Sequence, residues 1–393
     1  MIRTPMKIRA LEPQEDRFSR HALIDGWDQD RLARLRVAVF GIGALGNEVV
    51  KNLALVGVGH ALLVDLDRVE ASNLSRSVLF RPGDEGRPKA VVAAERAREI
   101  YPKLDTRTVT GDLWLELGPG CLESYDLALA CLDSVDARLG VNSLCLRAGL
   151  AWWNGGLGDA ACEVTHYVPG DGPCYGCTLT SRARARELQR FSCQHGRPQD
   201  LPPRTLPTTA VSASLGGALL VQEALASVMP EWESRALPAG TRLLLETAPY
   251  RLTRFEIARD PGCPDHELHD EEPTRLEDID HAGTAADVLS ALGADRDRVE
   301  IHLDFDLVVR WNCGCPGGGR EPFVPVRGAL GPCRECNSLP GEFETVTSLP
   351  GDHPAFDLPL HRLGVPDGGE IIIYDGDVVH TARLRPSPKE TVA

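Results

Sequence analysis

The side chains able to do chemistry fall into three groups along the 393 residues. The first begins with Gly41-Ile42-Gly43-Ala44-Leu45-Gly46, directly after an apolar run. Glycines at that spacing let the backbone turn tightly and approach a phosphate, and the following helix N-terminus favours negative charge. Asp65 stands nineteen residues beyond Gly46, at the end of the next apolar run, where a carboxylate can accept from ribose hydroxyls. Taken alone, this pattern reads as NAD or FAD binding. Asp67, Ser72-Asn73-Leu74-Ser75-Arg76 and Gly86-Arg87-Pro88-Lys89 then follow. Cations at 76 and 89 have no task in a dehydrogenase, whereas a triphosphate needs them, so the pattern points to ATP. Asp133, followed by Ser134, closes a later apolar run and so falls at the functional edge of a wound sheet. Asp133 also qualifies as the cap of the helix after it.

The second group is built from the twelve cysteines. The N-terminus, Met1 to Ala10, lacks the apolar centre of an export signal, so close pairs read as metal ligands before disulfides. Cys174/Cys177 and Cys263/His266 are two such pairs, which can close a tetrahedral structural zinc site, with two unrelated buried or surface pairs as the plainer alternative. Cys313/Cys315 and Cys333/Cys336 form a second candidate zinc set, with a redox-active pair as the rival reading. The third group is a single thiol, Cys193, with Arg190, His195 and Arg197 close by in sequence. Cations nearby would favour its thiolate, and an incidental loop cysteine is the plainer alternative. Cys121, Cys131, Cys145 and Cys162 sit in apolar patterns and read as core.

These groups need elements to hold them. Arg36 to Phe40, Ala61 to Val64 and Asp126 to Cys131 read as buried strands, and helical patterns follow the glycine loop and Pro88. Alternation of strand and helix is the mark of a parallel wound sheet. Cys162 to Val168, Leu243 to Thr247 and Arg251 to Ile257 are strand-like without strong intervening helices, which predicts an antiparallel continuation. Ser212 to Val228 reads as one long buried helix. The expected class is therefore α/β: a Rossmann-like ATP-binding sheet, parallel strands continued by antiparallel ones, then a smaller C-terminal zinc-containing α+β domain. The divisions expected are 1–270 with a polar, proline-rich crossover loop at 180–209, an acidic linker at 271–283, and a small domain at 284–393.

Several motifs in this order resemble the MoeB/ThiF/HesA group and the adenylation domains of ubiquitin-activating enzymes. The likeness begins at Arg17-Phe18-Ser19-Arg20, runs through the glycine loop, Asp65 to Asp67, Ser72 to Arg76, Gly86 to Lys89 and Asp133, and covers roughly residues 15 to 266. It implies ATP-dependent adenylation of the C-terminal carboxylate of a ubiquitin-like or sulfur-carrier protein. It implies that Asp65 holds the ribose, that Asn73, Arg76 and Lys89 contact phosphates, and that Asp133 helps place magnesium or the reacting phosphate. It implies that Arg20 reaches the ATP of the other subunit, hence a homodimer, and that Cys193 receives the acyl group as a thioester or attacks as a persulfide. A conjugating enzyme is a further partner on this reading. The sequence departs from the family pattern at Ala44, where glycine is usual, at Ser134, where asparagine or a similar residue is usual, and at Ser77 in place of glutamine. The alternatives are adenylation of a peptide or small-molecule carboxylate in natural-product synthesis, a non-catalytic partner subunit, and an NAD-dependent oxidoreductase.

The bulk composition sets outer limits. A net charge of −15 leaves no excess of cations for broad nucleic-acid binding. No apolar run is expected to cross a bilayer, and the sequence reads as cytoplasmic.

Overall fold

The computed structural model describes residues 16–158, 160–184, 208–266, 272–311, 315, 323–329, 343–376 and 378–387. Strands β1 (Arg36–Phe40), β2 (His60–Val64), β3 (Asp105–Val109), β4 (Leu127–Ala130) and β5 (Trp152–Leu157) are parallel, and β6 (Ala161–Tyr167), β7 (Thr241–Thr247) and β8 (Tyr250–Glu256) continue the sheet antiparallel. Their order is β3-β2-β1-β4-β5-β6-β7-β8. The central strands are unbroken apolar runs because both of their faces are covered. Val37, Val39, Leu63 and Trp153 enter one core; Ala38, Phe40, Leu62 and Trp152 enter the other.

Helix α1 (Gln29–Arg34) precedes the sheet, α2 (Ala44–Val56) leaves β1, α3 (Lys89–Ile100) leads to β3, and α4 (Leu113–Glu116) and α5 (Val135–Ala148) flank β4. α2 stops at Gly57, whose φ of +84° is a left-handed conformation that favours glycine. α5 is capped by Ser134, whose Oγ accepts from the Ala137 amide at 3.1 Å; the cap expected at Asp133 falls one residue later. α6 (Ala210–Val228) begins with a reciprocal Thr209/Ser212 capping box and packs on α2, β5 and β6. With 19 residues and a mean hydropathy of 1.4, α6 is long and apolar enough to cross a membrane, which corrects the expectation that no run reaches that length. Its apolarity serves packing here: Ala213, Gly216, Gly217, Leu220, Val221 and Ala224 are buried. A Cβ on Gly217 would lie 2.6 Å from that of Glu48, so the two helices meet at glycine distance.

A second sheet has the order β11-β10-β13-β14-β9, with β12 also paired to β10. Its strands are β9 (Thr274–Leu276), β10 (Val299–Trp311), β11 (Val324–Pro325), β12 (Phe343–Pro350), β13 (Glu370–Asp375) and β14 (Val378–Leu384). β9 lies inside the acidic stretch 271–283 and runs parallel to β14. Ile301, Leu307, Phe356, Ile371 and Ile373 close this core under α7 (Ala285–Leu292).

The two sheets meet along a polar seam. Gly118 N donates to Asp367 O at 2.7 Å and Gly120 N to Gly368 O at 3.0 Å. A Cβ on Gly118 would lie 2.2 Å from Gly369 N, so only glycine lets the backbones touch. Around this contact Arg107 pairs with Asp367 at 3.2 Å, Arg147 with Asp304 and Glu370 at 3.3 Å, and Arg327 with Asp112 at 2.9 Å and Asp136 at 2.6 Å. Arg383 joins Glu123 and Glu370 in the same network.

Candidate functional site

The strand order reverses between β1 and β4, and the crevice past the carboxyl ends of such a pair is where wound sheets bind ligands. The glycine turn leaves β1 there and Asp133 leaves β4 there. Gly41 has φ +86°, and a Cβ on it would sit 2.7 Å from Cys131 O, so the turn lies flush against the strand that leads to Asp133. Gly46 is pressed as closely: its Cβ would be 2.0 Å from Gly41 O. Gly43 differs, with open space wherever a Cβ would go. It caps α2 without a side chain, so an acceptor for the first helical amides has to come from elsewhere. A cradle of that shape at a helix N-terminus fits a phosphate. Ala44 is half-buried beside it.

Asp65 is turned back onto this loop. Its Oδ2 accepts from Ile42 N at 2.5 Å and its Oδ1 from Asp67 N at 2.7 Å. Burial pushes its carboxyl above the usual aspartate range, against the pull of the Ile42 amide and the Lys89 charge. Lys89, 9% exposed, reaches Asp67 Oδ2 at 2.7 Å from the first residue of α3. Asn73 is buried in a capping box with Glu70, and Arg76 Nη1 donates to Ser72 O at 2.7 Å. Ser77, which stands where glutamine is usual, is buried. The glycine turn, Asp65, Asp67 and Lys89 therefore form one bonded unit, with Asn73 and Arg76 on the segment that joins β2 to α3. Asp133 and Ser134 stand at the neighbouring strand end, Asp133 exposed.

Asn47, which sequence reading passed over, ties this unit together. It is fully buried, its Nδ2 donates to Ile42 O at 2.9 Å and Gly43 O at 3.0 Å, and its Oδ1 accepts from Leu79 N at 2.9 Å. One amide thus fixes the glycine turn to the chain just past Arg76. No local pattern marks it, since Glu48 stands beside it and Lys51 one turn on, so Asn47 is not a lone polar residue in an apolar stretch.

Arg20 lies apart. Phe18, two residues before it, packs at Gly57 on the far end of α2. A helix of 13 residues is about 20 Å long, which separates this segment from the chain's own glycine turn.

The ligand atoms of Cys174, Cys177, Cys263 and His266 all lie within 4.8 Å of one another. Cys174 and Cys263 Sγ are 3.8 Å apart, and Cys177 Sγ is 3.0 Å from His266 Nε2. Metal–sulfur bonds of about 2.3 Å at tetrahedral angles place two sulfurs about 3.8 Å apart, so the donor set fits a metal ion. Burial, with the charge of Arg259, lowers the His266 pKa and keeps the imidazole neutral, as a ligand must be. Burial and the neighbouring sulfurs raise the pKa of Cys174, a bias that a bound cation reverses. Of the second cysteine set, Cys315 is half-buried, while Cys313, Cys333 and Cys336 lie outside the described residues, as does Cys193. Cys121, Cys131, Cys145 and Cys162 are buried.

Known proteins match this arrangement. The Thermus thermophilus sulfur carrier protein adenylyltransferase is 29% identical over 288 residues, 70% of this chain and 97% of that one. The Haloferax volcanii SAMP-activating enzyme E1 is 31% identical over 268 residues, 64% of this chain and 88% of that one. Among solved structures, Escherichia coli MccB with ATP has a TM-score of 0.52 at 22% identity, over 65% of this chain and 75% of that chain, which is a likeness of fold. Residues 17–265, the stretch from Arg17 through the glycine turn to just past Cys263, match the ThiF family, and the chain belongs to it.

Proposed function

We propose that this protein uses ATP to adenylate the C-terminal carboxylate of a ubiquitin-like or sulfur-carrier protein. The support is the bonded unit of glycine turn, Asp65, Asp67 and Lys89 at the switch point of the sheet, together with membership of a family whose relatives include a sulfur carrier protein adenylyltransferase. A carboxylate oxygen attacks the ATP α-phosphorus and pyrophosphate leaves. The open face at Gly43 receives phosphate, Asp65 orients the ribose, and Asn73, Arg76 and Lys89 offset charge developing on the phosphates. Asp133 and Ser134 border the reacting group. Bound magnesium supplies further charge stabilisation, and Asp133 is the residue here suited to place it. Cys174, Cys177, Cys263 and His266 hold a structural zinc, since all four positions come from protein. Arg20 serves the partner's site in a homodimer, the Cys193 sulfur attacks the acyl-adenylate carbonyl to form a thioester as AMP leaves, and a conjugating enzyme follows.

ATP–pyrophosphate exchange, with and without candidate carriers, tests this reading. Exchange that needs the carrier's intact C-terminal glycine supports it, and Asp133→Ala should then bind ATP yet lose exchange. No exchange with any carrier, despite ATP binding, moves the assignment to a peptide substrate or a partner subunit. Cys193→Ala should keep exchange and lose the thiol-sensitive adduct with the carrier.

A further inference from the structure

The two halves of the metal cluster come from segments 89 residues apart, and neither is part of a long regular element: Cys174 caps a 3₁₀ turn that contains Cys177, and Cys263 precedes a second that ends with His266. A site made this way needs something to set the distance between its halves. Asn142 on α5 is placed to do so. It is 2% exposed, its Oδ1 accepts from Tyr175 N at 2.9 Å, and its Nδ2 donates to Asp265 O at 3.3 Å. Tyr175 lies inside the first ligand pair and Asp265 inside the second, so one amide bonds the backbones of both. Its support is fixed as well. One turn earlier on α5, Arg138 donates to Leu132 O at 2.6 Å and to Asn154 Oδ1 at 3.0 Å, which pins the helix to the segment after β4 and to β5.

We propose that Asn142 is a positioning residue of the metal cluster: it presets the separation of the two ligand pairs before an ion arrives. The proposal rests on reading the four groups as a metal site. Groups that orient ligands without touching the ion commonly change metal affinity 10- to 100-fold when removed. Asparagine fits the task where leucine of similar size does not, because both ends of the amide are in use.

Zinc release to a colorimetric chelator tests this in the full-length protein. A Cys174→Ser/Cys177→Ser double variant gives the release from every other site in the chain, and subtracting it isolates this cluster. Asn142→Leu is expected to bind the cluster's zinc about 10- to 100-fold more weakly than wild type, with an unchanged circular dichroism spectrum. Asn142→Asp keeps an acceptor for Tyr175 N and loses the donor to Asp265 O, so its affinity should fall between the two. Equal zinc affinity in Asn142→Leu and wild type would overturn the proposal. If the leucine variant does not fold, the aspartate variant decides by the same criterion. If wild type releases no more zinc than the double variant, the metal reading fails and takes the proposal with it.

Discussion

A carboxylate that accepts hydrogen bonds from a sugar does so best when ionised, and Asp65 sits where ionisation is costly. Burial holds its pKa above the usual aspartate range even though the Ile42 amide and Lys89 oppose the shift. The sign follows directly: on acidification Asp65 takes up its proton earlier than an ordinary aspartate. ATP affinity, followed by calorimetry, should therefore begin to fall at a pH above the ordinary aspartate range. Asp65→Asn should bind about tenfold or more weakly at neutral pH, the worth of charged hydrogen bonds, and show no such decline. A wild-type profile that stays flat until the protein unfolds would remove Asp65 from the ribose. Asp65 was readable in sequence because it ends an apolar run at a fixed offset from the glycines. Asn47 and Asn142 were not, because what gives them meaning is Leu79, 32 residues on, and Asp265, 123 residues on. No local pattern encodes a partner at that range.

At the scale of elements, the glycine turn separates two demands that glycine can meet. Gly46 is glycine for packing, since its Cβ would be 2.0 Å from the Gly41 carbonyl, whereas nothing in the structure crowds Gly43. Gly46→Ala should thus destabilise the fold by about 1–3 kcal/mol in urea melts. Gly43→Ala should leave stability within about 0.5 kcal/mol of wild type and still weaken ATP binding about tenfold or more, because its methyl occupies the phosphate's space. A Gly43→Ala protein with wild-type ATP affinity would mean that phosphate does not lie over this residue. The strands that position the turn were legible where both faces are buried and the run is wholly apolar, as in residues 37–40 and 61–64. β3 was not, because Asp-Thr-Arg-Thr-Val is a half-buried edge with polar residues along it. Nor was β5, whose Asn154-Gly155-Gly156 reads as a turn. Gly155 is there because a Cβ would meet Leu45 at 2.7 Å and Leu220 at 2.9 Å.

In the whole molecule, the length of α2 separates Arg20 from its own glycine turn, which makes service across a dimer testable. Arg20→Ala and Lys89→Ala proteins, each expected to be inactive alone, should regain about a quarter of wild-type exchange when mixed and allowed to re-pair. Half of the dimers are then mixed, with one complete site in two. No recovery, in a mixture shown to exchange subunits, would place Arg20 in its own chain's site. The second sheet is attached by charges that desolvation alone would weaken. Burial works to raise the Asp367 pKa, but hydrogen bonds from Ser387 and Cys121 and the His281 charge outweigh it, so the carboxyl is held below its usual range. A lowered folded pKa contributes stability that is complete above the unfolded value of about 3.9 and is lost as pH falls through the lower folded one. Asp367→Ala should therefore cost about 2 kcal/mol at pH 7, and the gap from wild type in urea melts should close in strong acid. A gap that stays constant with pH would assign the loss to packing. Beside that carboxylate, the amides of Gly118 and Gly120 are spent on carbonyls of the other sheet. Their protons reach water when the two bodies part or when either of them unfolds. Hydrogen exchange at these two glycines is thus a built-in clock for separation of the two sheets, and it runs ahead of exchange from the strands of either sheet whenever they part without unfolding.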